Sequence, residues 1–501
     1  MSNYYVSSFI WGVLAKILNA LFGVISVPLL LSYFKVENYG ILTLATSVNA
    51  YMHLLDLGMH VGAVKFFSQW IYEKKHLLLD KVVRTSISFY GVIGIINTSV
   101  LIVLAIFGRN FFNVTDNQFL LLQKLLLISA SFSIVNWLGA VFSQLLTAAQ
   151  KIAFVHKIMS VSVVCKIALI YVTIYFHLSI ELYFVLFSFF LAVLLIPYAI
   201  LSRRLNLISS LKPCFEWNEF KIVLIYSLSI FALSFFQMCA ASSRPIILGM
   251  FASTAAVAVA HYNVVQLMPS FILSVNGVFA SLLLPKASVI VSQKDDIDKF
   301  EKFILNGTKI STILCMSLCL PIILCSKGLL AFVVGSEYIH LSFWLSLAII
   351  AFCFNLPTSV CNSLVLAIGK TKPLIFATAI LCVLSISLNI ILAPQIGMGS
   401  AIIAYFVYVI TIALYNYFFY YPKLFNIKTS TLIFPVIKPI IFGVIPTILL
   451  YMLFHFVDYS ALNRLQCFGW LLLIGGLWYI LYGVLLLIFK EISIKNKRII
   501  L

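Results

Sequence analysis

The sequence predicts an all-α membrane protein with fourteen transmembrane helices. They form two parallel six-helix repeats, an N-lobe and a C-lobe, followed by a C-terminal helix hairpin. Three observations predict this. The chain of 501 residues is 63 % hydrophobic and only 10 % charged, where soluble domains carry about a quarter charged residues. Apolar runs of about 20 residues, each long enough to cross the hydrocarbon layer as a helix, recur from end to end. The second half of the chain also restates the first at a nearly constant offset.

The spans fall at 9–31, 41–62, 86–108, 125–148, 158–177, 181–201, 224–248, 255–284, 304–325, 341–366, 373–393, 399–421, 440–457 and 466–489. With the N-terminus inside, the inner loops and tail, counted with Lys309 at the inner end of its span, collect 25 Lys and Arg, the outer loops 5 and the rest of the spans 3. That asymmetry is the positive-inside signature, and it places both termini in the cytoplasm. The net charge of +18 is thereby spread over inner loops and leaves no nucleic-acid-binding face. The start MSNYYVSSF has neither a basic n-region nor a cleavage site, so the first span reads as its own insertion signal. None of the ten cysteines lies in an outer loop, so no disulfide framework is implied. Cys315 and Cys319, one helical turn apart, read as core packing.

The first span carries a stripe of Gly12, Lys16, Asn19, Gly23 and Ser26, and Pro28 is expected to bend it. A polar turn at 35–39 leads into the second span. There Thr46, Asn49, His53, Asp56 and His60 are spaced three and four apart and share one helix face. Such a line must turn away from lipid. Packing against neighbours is one way to do so; a water-filled cavity accounts better for two histidines and a carboxylate. The next segment, VKFFSQWIYEKKHLLLDKVVR, mixes aromatics with bases and reads as lying along the inner surface. The fourth span has a line of Ser133, Asn136, Ala140, Ser143 and Thr147, and the seventh one of Ser227, Ser234, Gln237, Ala241 and Arg244. Between them, SRRLNLISSLKPCFEWNEFK reads as an inner linker.

The repeat is visible residue by residue. SVPLLLSYF (26–34) matches SRPIILGMF (243–251), aligning Pro28 with Pro245. The same offset sets Thr46, Asn49 and His53 on Asn263, Gln266 and Ser270. Further on, LLTAAQK (145–151) matches LVLAIGK (364–370), and Asn136 falls on Asn355. The division is therefore an N-lobe at 1–210, a cytoplasmic linker at 211–223 and a C-lobe at 224–421. Residues 422–501 hold the last two spans and a basic tail anchored on the inner leaflet. Six spans per copy make the repeats parallel. QKDDIDKFEKF reads as a solvated surface helix, and Tyr415–Tyr421 as an interfacial aromatic belt.

The expected cavity residues are Lys16, Asn19, Thr46, Asn49, His53, Asn136, Gln237, Arg244, Asn263, Gln266 and Asn355. Lys16 and Arg244 need a reason to be within spans, since a mid-membrane charge costs about 2.5–3.5 kcal/mol, although both could snorkel to an interface. Asp56, with His60, reads either as a coupling-ion or gate residue or as a helix-end carboxylate bonding backbone donors.

Two six-helix lobes with an added hairpin, the NYGILTL turn and LDLG at the inner end of the second span resemble the Wzx-type polysaccharide flippases. These belong to the multidrug, oligosaccharidyl-lipid and polysaccharide exporter superfamily. The resemblance implies a transporter rather than an enzyme, with two lobes rocking about a central cavity. Its implied substrate is an undecaprenyl-diphosphate-linked oligosaccharide, moved from the cytoplasmic to the periplasmic leaflet of a bacterial inner membrane for O-antigen (lipopolysaccharide) or other surface polysaccharide. It implies no cofactor beyond a coupling proton or sodium ion. The implied partners are the lipid bilayer, a polysaccharide polymerase and a chain-length regulator. Arg244 and Lys16, one per lobe, are the expected contacts for the diphosphate. A drug or cation antiporter and a lipid II-type flippase are alternatives within the superfamily. A polymerase is disfavoured because every outer loop is short, and no Gly-rich nucleotide loop is present to make ATP the direct driver.

Overall fold

The apolar runs fold as helices almost throughout. The computed structural model describes residues 2–193, 195–210, 212–292, 297–489, 491, 493–495 and 498–500. In chain order the helices are α1 Ser2–Tyr51, α2 Met59–Tyr72, α3 His76–Phe107, α4 Asp116–Ala148, α5 Ile152–Tyr175, α6 Ile180–Val193 and α7 Ile196–Arg204. Next come α8 Trp217–Ser242, α9 Arg244–Phe251, α10 Ala255–Ser292, α11 Ile297–Leu324, α12 Ser326–Val333 and α13 Ser342–Asn355. The last are α14 Ser359–Ile368, α15 Lys372–Ile396, α16 Met398–Tyr415, α17 Tyr421–Phe425, α18 Thr429–Phe454 and α19 Arg464–Ile488. Ser493–Lys495 and Arg498–Ile500 pair as short antiparallel strands.

Among the described residues, twelve helices are long and apolar enough to cross a membrane. The first, Ile10–Asp56, is 47 residues long and breaks at Lys35, whose φ of 65° and ψ of 163° are non-helical. The expected bend at Pro28 is not where the helix breaks, since Pro28 lies inside a helical stretch. The break falls instead at the start of the predicted 35–39 turn. The predicted seventh span falls on α8 and α9. Along α3, Val92, Ile95, Ile96, Val103 and Ile106 are exposed. At about 25 cal/mol per Å² such a surface is unfavourable in water and natural against lipid.

Contacts divide the chain into two units, Met1–His261 with Ile390–Met398 and Tyr262–Asn389 with Gly399–Leu501. In the first, α3 and α4 form an antiparallel hairpin. Its core gathers Phe67, Trp70, Tyr90, Trp137, Phe142 and Phe220. The α2 segment, expected along the inner surface, buries one of its faces in that core. Its Met59, Ala63, Phe67 and Trp70 are buried in that core, because its aromatics recur at helical spacing and face inward while Lys65 and Tyr72 face out. The linker after α7 is stitched along the start of α3. Ser209 donates from N and Oγ to Asp80 at 2.6 and 2.8 Å, and Arg84 Nε donates to the Lys212 carbonyl at 2.8 Å. Ser88 Oγ donates to the Cys214 carbonyl at 2.9 Å, and Glu216 N to Thr85 Oγ1 at 2.9 Å.

Two motif glycines have direct structural reasons. In NYGILTL, a Cβ on Gly40 would stand 1.8 Å from the Ala256 carbonyl oxygen of α10. In LDLG, Gly58 has a φ of +73°, and a Cβ there would stand 2.7 Å from the Ser227 carbonyl oxygen and 2.9 Å from Phe231 Cβ. Neither position has room for a side chain.

In the second unit the chain between Tyr415 and α17 makes a π-helical turn at Asn416–Tyr420. This turn sends Tyr417, Tyr420 and Tyr421 into a core with Cys361 and Leu364. Only Phe418 and Phe419 of that run are well exposed, so most of the expected aromatic belt is core. Tyr421 Oη donates to Asn362 Oδ1 at 2.9 Å. Of the expected surface helix QKDDIDKFEKF, residues 293–296 lie outside the described residues and the rest begins α11. The tail is held by an acid as well as by bases. Glu491, 9 % exposed, pairs with Lys309 at 3.0 Å and Lys438 at 3.1 Å. Burial raises its pKa, but the hydrogen bonds and charges of the two lysines outweigh burial and hold the carboxyl below its ordinary range.

Candidate functional site: a polar cavity in the first unit

The predicted stripe does not sit on one regular helix. After Tyr51 the chain tightens into a 3₁₀ turn at Met52–Asp56, and Leu57 (φ 52°) and Gly58 (φ 73°) are both left-handed before α2 begins. Even so, Asn49, His53, Asp56 and His60 line one cavity of about 540 Å³. The facing wall is α4, with Ser133, Asn136, Trp137, Ala140 and Gln144, joined by Asn97 of α3. Leu191, Leu195 and Met238 complete the lining.

The wall is organised by a relay of hydrogen bonds. Gln144 Nε2 donates to Tyr90 Oη at 2.7 Å, and Tyr90 Oη donates to Asp56 Oδ1 at 2.5 Å. The His60 backbone N–H donates to Asp56 Oδ2 at 3.3 Å. Asp56 is therefore positioned both by its own turn and by α3 and α4. Trp137 stacks on Tyr90 with ring centroids 5.8 Å apart and lies 5.4 Å from the His53 ring.

Two wall atoms lack partners. Asn97 is 3 % exposed and Gln144 is 0 % exposed, yet among the described residues Asn97 Oδ1 and Gln144 Oε1 find no hydrogen-bond donor. Leaving such an oxygen unsatisfied costs about 1–3 kcal/mol. Among the described residues the lining carries one carboxylate and two histidines but no Lys or Arg. Chemically it accepts: it suits hydroxyl groups, an ammonium or a hard cation held by oxygens, and it does not suit a diphosphate.

The remaining expected residues lie elsewhere. Lys16 and Asn19 are exposed on α1, and Asn19 Nδ2 donates to the Ala15 carbonyl at 2.8 Å. Thr46 Oγ1 donates to the Thr43 carbonyl at 2.9 Å, and Gln237 is exposed on α8. Arg244, 7 % exposed, opens α9 and donates from Nε to the Ala240 carbonyl at 3.0 Å. None of these five lines the cavity. By contacts alone, Lys16 and Arg244 fall in the same compact unit. Asn263, Gln266 and Asn355 are half-buried in the second unit. The Ser234 side chain lies outside the described residues.

Sequence reasoning missed Tyr90, Asn97, Trp137 and Gln144. On α4 it chose Ser143 and Thr147, but these hydroxyls donate to the Ala140 and Ser143 carbonyls of their own helix at 2.9 and 2.7 Å. Short hydroxyls can satisfy themselves in that way; a Gln amide cannot. Gln144 stands beside Ser143, and nothing in the spacing singles it out.

No protein-family model matches the chain, and no curated protein matches it. Solved structures do. A lipid II flippase MurJ in an inward closed conformation superposes with a TM-score of 0.69 at 16 % identity, covering 98 % of this chain and 99 % of MurJ. An inward-facing multidrug resistance MATE family transporter of the MOP superfamily gives 0.64 at 14 % identity, covering 82 % and 94 %. An outward-facing one gives 0.56 at 15 %, covering 84 % and 95 %. The chain has their fold. At this identity the likeness speaks for architecture, and what the cavity carries must be argued from its walls.

Proposed function

We propose that the protein is a Wzx-type flippase that moves undecaprenyl-diphosphate-linked oligosaccharide across a bacterial inner membrane by alternating access. In this reading the saccharide occupies the first unit's cavity while the isoprenoid tail stays in lipid. The observation that carries the reading is the lining itself, in which Asn49, Asn97, Ser133, Asn136 and Gln144 stand with Asp56 and two histidines, amide and hydroxyl groups that suit the hydroxyls of a saccharide. The whole-length likeness to a lipid II flippase supports a lipid-linked cargo. Asp56, held by Tyr90 and the His60 N–H, takes the coupling or gating role.

The topology belongs to the same proposal. Counting α1 twice, on either side of Lys35, and α8–α9 once raises twelve spans to fourteen, with the 25-to-5 basic split setting both termini inside. The lobes at 1–210 and 224–421 are supported by matched helix ends. Gln150 and Gly369, aligned by the repeat, are both left-handed, at φ 58° and 78°. The Lys35 break likewise matches Ala252, which is extended after α9.

A second reading, a drug or cation antiporter, is favoured by one observation: among the described residues the lining has a carboxylate and no Lys or Arg. Expression in a strain lacking its own flippase separates the two. Restored long surface polysaccharide supports the flippase. Failure to restore it, together with new resistance to cationic drugs, supports the antiporter. If Asp56→Asn leaves flipping and its pH and sodium dependence unchanged, Asp56 is not the coupling residue.

A further inference from the structure

On α11, Cys315 and Cys319 lie one turn apart, with Sγ atoms 3.8 Å from each other. Cys353 of α13 faces them, and the three Sγ atoms all lie within 4.8 Å of one another. Cys315 and Cys319 are 0 % exposed and Cys353 is 8 % exposed. Among the described residues no histidine or carboxylate joins the group. Three sulfurs each bonded at about 2.3 Å to one ion stand at most about 4 Å apart. The triangle is already near that size. Zinc itself needs a fourth ligand, and three thiolates around it would leave a net charge in an apolar core, which is costly.

We propose that Cys315, Cys319 and Cys353 form a binding site for a soft, three-coordinate trivalent ion, with arsenic(III) as the fitting case. Arsenous acid is uncharged at neutral pH, so it can reach a buried site without carrying a charge through the membrane. Each of the three thiols replaces one hydroxyl. Three As–O and three S–H bonds break, three As–S bonds form, and three waters leave with no change of oxidation state. The product is neutral and ties α11 to α13, which places the site apart from the first unit's cavity.

The test uses the reduced full-length protein in detergent micelles, with arsenite as the probe. Native mass spectrometry should show one arsenic bound with three protons lost, and arsenite should raise the thermal unfolding midpoint. Cys353→Ala and Cys315→Ala should each retain at least tenfold less arsenic at the same arsenite concentration and lose the thermal shift. Cys214→Ala, in the linker, should bind as the wild type does. No bound arsenic in the wild type, fewer than three protons lost, or undiminished binding by Cys353→Ala overturns the site. The wild-type proton count does not depend on any variant folding.

Discussion

Tyr90→Phe removes one hydroxyl and breaks two hydrogen bonds, the donation to Asp56 Oδ1 and the acceptance from Gln144 Nε2. The two losses differ in size. Gln144 is 0 % exposed, so its stranded amide N–H faces the cost of a buried unsatisfied donor, about 1–3 kcal/mol. Asp56 is half-buried on the cavity wall and keeps the His60 N–H, so its loss is the smaller. Within membranes such pairs average about 0.6 kcal/mol and reach about 1.7, because the unfolded helices find other partners. The expected destabilisation of Tyr90→Phe is therefore about 1–3 kcal/mol. Gln144→Leu removes the stranded amide, so the double variant should lose about 0.6–1.7 kcal/mol less than the sum of the singles. Unfolding in detergent micelles followed by tryptophan fluorescence suits the assay, since Trp137 stacks on Tyr90. A Tyr90→Phe protein as stable as wild type, or a cycle additive within about 0.3 kcal/mol, would refute the relay.

Gly58→Ala should cost about 2–5 kcal/mol, combining roughly 1–2 for a left-handed alanine with roughly 1–3 for the clash against α8; an unchanged unfolding midpoint would contradict the strained turn. Glu491 has its pKa lowered in the fold, so its stabilisation is fully present above the unfolded value of about 4.5 and is lost as pH falls through the lower folded value. The thermal midpoint of wild type should thus drop more steeply below pH 4.5 than that of Glu491→Gln, and parallel pH profiles would deny the tether. Reporters fused after Lys75, Arg204 and Arg498 should read cytoplasm, and those after Lys35, Asn113 and Glu337 periplasm. A fusion after Lys294 should also read cytoplasm, although that residue lies outside the described residues. A periplasmic signal at Arg204 would undo the helix count.

Helix and membrane were legible because length and apolarity decide them, and the Thr46–His60 stripe was legible because a 3.6 period repeats polar residues on one face. The same periodicity hid the turn at Leu57–Gly58. Four of the five stripe residues reach the cavity because that left-handed turn leaves His60 on the same wall as His53, not because the helix continues. Asn97 and Gln144 were illegible for another reason. Each sits beside hydroxyl residues, Asn97 before Thr98 and Ser99 and Gln144 after Ser143, and only the packing of α3 on α4 shows that their oxygens are buried without donors. Lys16 and Arg244 drew attention by charge and by the polar lines they share. Arg244 reaches back to a carbonyl of α8 and Lys16 lies on an exposed face, and neither arrangement could be read from spacing. The Glu491 clamp joins residues far apart in sequence, so the tail read as merely basic.

The central claim is that cargo passes through the first unit's cavity, and filling that cavity tests it most directly. Ala140 lines it on α4, whereas Val135 of the same helix is 46 % exposed on the outer face. Ala140→Trp and Val135→Trp are to be compared in a flippase-deficient strain for long surface polysaccharide, at matched membrane levels and with both proteins monodisperse in detergent. The account predicts that Val135→Trp restores the polysaccharide and Ala140→Trp does not. Full restoration by Ala140→Trp would contradict it.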